Sequence, residues 1–194
     1  MSPSNVSAAQ QPQRITVWDP LVRILHWLLV LAIALAWLST IIFGWADVHD
    51  PAGYVALTAV VIRIVWGFVG SRYARFREFV QPAHRVKQYW RELLSHRERH
   101  YIGHNPLGGW MIVALLLVAL LTGFTGWLFN TDMFWGFYWL SLLHEILAWT
   151  LLGLIVLHVG GVVFTSLRQR ENLVRAMWTG CKQAPQHQQA QRPH

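Results

Sequence analysis

The sequence predicts an all-α membrane protein: a four-transmembrane-helix bundle with both termini cytoplasmic. Three observations point there. Of the 194 residues, 54% are hydrophobic and only 13% are charged, about half the charged share of an ordinary soluble domain. Four apolar stretches are each near the ~20 residues that cross ~30 Å of hydrocarbon as a helix. The cationic residues gather between those stretches in an alternating pattern.

In chain order, residues 1–13 are rich in Gln, Pro, Ser and Ala and read as a disordered tail. The first span is expected at residues 21–43. It contains Ala34-Leu35-Ala36, a cleavage-site look-alike. The residues before it carry only Arg14 as a positive charge, and the apolar run is long for a signal peptide, so an uncleaved helix is expected. The second span, 52–69, is the least hydrophobic because it holds Arg63. The third is expected at 107–129 and the fourth at 142–167. Residues 14–180 form the domain, and 181–194 a second disordered tail.

The loops orient the bundle. Residues 71–104 hold eight Lys/Arg and three Glu, and residues 168–194 hold five Lys/Arg and one Glu. The loop after the first span has Asp47 and Asp50, and the loop after the third has Asp132, with no Lys or Arg in either. The positive-inside rule places the long middle loop and both termini in the cytoplasm. The same distribution argues against nucleic acid as the reason for the net charge of +7. Segment 82–100 predicts a short helix with Val86, Tyr89, Trp90 and Leu93 on one face, lying on anionic membrane lipid. The twelve Trp residues suit a membrane boundary.

Four of the ten histidines lie in or beside the spans: His26, His49, His144 and His158. An ionisable side chain at membrane depth is costly and points to function. One such His is as easily a packing residue, bonded to a neighbouring helix. Four in register are harder to explain that way. His144 and His158 are fourteen residues apart, which on a helix is nearly four turns and ~21 Å. Both rings therefore leave one face at two depths. The first span runs outward, so His26 sits at the level of His158. The second runs inward, so His49 sits at the level of His144. Paired histidines on facing helices are the usual axial ligands of a low-spin b haem, with no open position at iron. The pattern predicts two non-covalent haem b groups, His26/His158 inside and His49/His144 outside. Zinc fits less well, since a structural site wants four ligands and usually Cys. The one cysteine, Cys181, lies in the tail, and there is no C-x-x-C-H attachment motif.

Arg63 follows His49 by fourteen residues, so it shares that face ~21 Å deeper. It is a candidate partner for an inner haem propionate. Arg23, three residues before His26, is either a second such partner or a cytoplasmic anchor that snorkels to the headgroups. Gly123, Gly126, Gly153, Gly160 and Gly161 either admit a flat macrocycle or allow close helix packing.

The segments Trp18 to Trp27 (WDPLVRILHW), His49 to Tyr54 (HDPAGY), Gly103 to Gly108 (GHNPLG) and Leu143-His144-Glu145 through His158 resemble the bacterial cytochrome b561 family. That family includes the cytochrome b subunits of nickel–iron hydrogenases. The resemblance covers roughly residues 14–180. It implies a four-helix bundle with two b haems on the four histidines, in the cytoplasmic (inner) membrane. It also implies electron exchange between a redox partner, a c-type cytochrome or a hydrogenase-like enzyme, and quinone. His104 has no assigned role. A stand-alone oxidoreductase, oxidising superoxide or quinol, remains open beside this reading, as does a homodimer. A solute transporter predicts an inverted repeat with a midplane polar site, and neither is visible.

Overall fold

The computed structural model describes residues 14–16, 18–43, 45–95, 105–169 and 171–183. Both expected tails, apart from residues 181–183, and the loop histidines His96, His100 and His104 lie outside them.

Four helices are long and apolar enough to cross a membrane. Helix α1 spans Pro20–Leu38. The Asp19 carboxylate caps it by accepting from the Val22 N–H at 2.9 Å, and Pro20 occupies the first turn, where no N–H is needed. A π-helical turn, Ser39–Phe43, completes the span. Helix α2, Ala46–Val69, starts six residues before the expected edge. Asp47, His49 and Asp50 read as a polar loop, yet they form its first turns. Pro51 lies inside the helix as its sixth residue, so α2 forgoes the bond that an N–H there would give the Asp47 carbonyl.

A short α3 (Phe76–Phe79) and the amphipathic α4 (Ala83–Leu94) follow. On α4, Tyr89 is buried while Trp90 is half exposed, so the expected apolar face is split between protein and surroundings. Helix α5, Pro106–Phe129, is capped by Asn105, which accepts from the Gly108 N–H at 2.7 Å. The Asn-Pro pair of the GHNPLG segment thus starts the third span. Helix α6, Tyr138–Gln169, begins four residues earlier than expected.

Helix α7, Leu173–Thr179, ends at Gly180, whose φ of +81° suits glycine. A Cβ there would also lie 2.9 Å from the Trp18 carbonyl. Beyond it, β2 (Cys181–Gln183) pairs antiparallel with β1 (Arg14–Thr16), tying the two ends of the domain together.

Helix α1 packs on α2, α2 on α5, and α5 on α6, whereas α1 and α6 are not closely packed. Their seam is bridged by Trp37 and Trp149, edge to face with ring centroids 4.9 Å apart. The spans bury little of their apolar surface in one another. Phe68, Val156 and Leu157 are each more than half exposed, as expected when lipid is the solvent.

Candidate functional site

The alternation of helix directions brings the four histidines together in two pairs. His49 enters from the first turns of α2 and His144 from the second turn of α6. Their ring centroids lie 6.2 Å apart with planes at 81°. A metal–imidazole bond is about 2 Å long, so two imidazoles on opposite sides of one metal put their centroids about 6 Å apart.

The far nitrogen of each ring is fixed by backbone. His49 Nδ1 lies 3.0 Å from the Ala36 carbonyl on α1. His144 Nδ1 lies 3.0 Å from the Thr122 carbonyl on α5. Each carbonyl can only accept, so each ring donates from Nδ1 and leaves Nε2 as a free lone pair. Metal-binding histidines are oriented in this way. Gly126 makes room for the second ring: a Cβ there would sit 3.0 Å from His144 Cε1. Gly123 instead lets α5 approach Leu57 of α2, while a Cβ on Gly153, Gly160 or Gly161 would meet nothing.

Around this pair all four spans enclose a cavity of about 410 Å³, within the range of small-molecule and cofactor sites. Its walls are mainly apolar, Trp37 and Trp149 among them. Its mouth is polar. Asn130 donates to the Asp50 carboxylate at 3.0 Å and to the Tyr54 hydroxyl at 3.1 Å.

The second pair is His26 on α1 and His158 on α6, close enough to interact electrostatically across the loosely packed seam. His26 stands edge-on to Trp27 at 5.3 Å, and Trp27 stands edge-on to Trp178 of α7 at the same distance. Among the described residues, neither inner ring makes a hydrogen bond. The Trp27 Nε1 is buried without an acceptor.

Arg63 is buried at the end of α2 near the start of α1. Its Nη2 donates to the Ala74 carbonyl at 3.3 Å, and its guanidinium lies 5.8 Å from the Phe76 ring centroid. Asp19 supplies a nearby negative charge. Nη1 is buried with no acceptor. Asp19 also accepts from Trp66 Nε1 at 3.1 Å and from the Ser71 hydroxyl. Burial pushes the Asp19 carboxyl up. The bonds from Ser71, Val22 and Trp66 and the charge of Arg63 outweigh it and hold the carboxyl below its ordinary value. This network was not foreseen, because Asp19 and Trp66 are 47 residues apart. Arg23 reaches the Thr179 carbonyl at 3.4 Å and packs against Gly180, so it fastens α7 to α1.

Among the described residues, no three His, Cys, Asp or Glu side chains converge as a metal site. What the spans offer is pairs of histidines at two depths.

Residues 17–180 match the family model described as prokaryotic cytochrome b561. Curated relatives named "Probable Ni/Fe-hydrogenase B-type cytochrome subunit" are similar. The one from Bradyrhizobium diazoefficiens is 27% identical, covering 70% of this chain and 65% of that protein. The one from Azotobacter vinelandii is 30% identical over 68% and 65%. The one from Rhizobium leguminosarum bv. viciae is 23% identical over 89% and 90%. The chain thus spans about 65% of the length of the first two. No solved structure matches it. With four apolar spans and a match over nearly its whole length, the chain is a multi-pass membrane protein that belongs to the prokaryotic cytochrome b561 family.

Proposed function

We propose that the chain carries electrons across the membrane through two bis-histidine b haems, between a hydrogenase-like redox partner and the quinone pool. The outer pair carries the reading. The ring centroids of His49 and His144 lie 6.2 Å apart, the spacing expected of two imidazoles on one iron, and both Nδ1 atoms are already bonded, which leaves each Nε2 available. Bound there, a haem supplies reversible one-electron chemistry. His49 and His144 would hold it through Nε2, and with two protein ligands the group would suit electron transfer rather than substrate chemistry. His26 and His158 would do the same ~21 Å deeper. Arg63 Nη1 offers a buried cationic donor to a propionate of the inner haem, and the apolar walls keep water out. The printed names of the relatives suggest the hydrogenase partner. The loop charges support cytoplasmic termini.

The test uses vesicles containing the purified protein, with ferricyanide trapped inside and dithionite outside. Electron flow should depend on the protein and stop in His49→Ala and His158→Ala alike, and duroquinone should reoxidise the reduced haems. A protein with both haems that passes no electrons across the bilayer would defeat the proposal.

A further inference from the structure

Among the described residues, three polar or charged side chains are buried: Ser39, Arg63 and Thr125. Arg63 belongs to the inner end. The other two stand behind the outer histidines.

The Ala36 carbonyl, which receives His49 Nδ1–H, also accepts from the Ser39 hydroxyl at 2.8 Å. Thr40 reaches the same oxygen at 3.4 Å but bonds better to the Trp37 carbonyl at 2.9 Å. Behind His144, the Thr125 hydroxyl lies between the Leu121 carbonyl at 2.9 Å and the Thr122 carbonyl at 3.0 Å, and its oxygen is 3.2 Å from the ring's Nδ1. The sharing of one backbone oxygen between an imidazole and a buried hydroxyl is therefore clear-cut behind His49. On α1 the sharing falls where the helix widens into its π-helical turn, a feature often found at functional sites.

We propose that Ser39 is a positioning residue that tunes the outer site, drawing electron density from the Ala36 carbonyl that holds His49. The inference rests on the bis-histidine reading above. A carbonyl that accepts two donors binds each less strongly. The imidazole then keeps its Nδ1 proton more fully and is a weaker donor through Nε2. Hydrogen bonding behind a metal-bound histidine raises its basicity, and a more basic ligand favours the more highly charged ferric iron. By loosening that bond, the Ser39 hydroxyl favours the ferrous state, which raises the potential of the outer haem relative to a site without it.

The test is a redox titration of purified Ser39→Ala, with the outer haem identified as the one lost in His49→Ala. Removing the competing donor strengthens the His49 bond by a fraction of one hydrogen bond, so the ferric/ferrous ratio of the outer haem at fixed potential should rise roughly twofold to fivefold. The inner haem should not move. The ferric electron-resonance signal of the outer haem should shift with it. Ser39→Thr, which keeps a hydroxyl, should restore the wild-type behaviour and separates tuning from loss of packing. Two resolved haems with an unchanged outer potential in Ser39→Ala, or equal shifts in both haems, would overturn the proposal alone. A wild type with one haem, or His49→Ala that retains both, would overturn the bis-histidine reading and this inference with it.

Discussion

The two histidine pairs share a helix but not a design. At the outer pair, protein alone fixes both rings: carbonyls hold each Nδ1, Gly126 clears the space, and four helices wall the cavity. At the inner pair, neither ring is hydrogen-bonded among the described residues, and the helices that carry them are not closely packed. Trp27 Nε1, beside His26, is buried with no acceptor, and so is Arg63 Nη1 on α2. Orphaned buried donors are costly. On the bis-histidine reading proposed above, the outer site is set by protein before a haem binds, and the inner site would be completed by one.

The largest effect that would break this comparison is at Arg63. Arg63→Leu should strip the inner haem or shift its potential, with the outer haem spared. Separate haem titrations of the purified variant check this, and equal effects at both haems would assign Arg63 to packing. Next is Gly126→Ala. The added methyl would press on His144 at 3.0 Å, so the outer haem should transfer to apomyoglobin on the order of tenfold faster, a barrier change of roughly 1.4 kcal/mol. Gly153→Ala, with nothing near its Cβ, should release both haems at wild-type rates. The smallest effect concerns Asp19. Its carboxyl is held below the ordinary 3.8, so its stabilising contribution is complete at neutral pH. That contribution fades only as pH falls through the lowered value. Asp19→Asn should lower the melting temperature by a few degrees at pH 7, consistent with loss of about 1 kcal/mol, and the difference from wild type should shrink in strong acid.

The bundle was legible because membrane spans announce themselves by length and hydropathy, and because loop cations alternate. The histidine pairs were legible because fourteen residues is nearly a whole number of turns. The start of α2 was hidden by Asp47, Asp50 and Pro51, which read as loop residues; the acidic Asp47 suits the first turn, while Pro51 sits inside the helix at the cost of one backbone bond. Arg63 stands out in the sequence as a charge within a span, but its bond to Ala74 and its neighbour Asp19 come from loop and helix packing. No pattern in the sequence points to the carbonyls of Ala36 and Thr122. Every residue has one, and only the tertiary fold selects which meets a ring.

The most direct test of two sites is haem stoichiometry combined with the four single substitutions. The purified protein should contain two non-covalent b haems per chain, both low-spin. His49→Ala and His144→Ala should lose the same haem, and His26→Ala and His158→Ala the other. One haem per chain, or a His26→Ala spectrum and titration matching those of His144→Ala, would contradict the account.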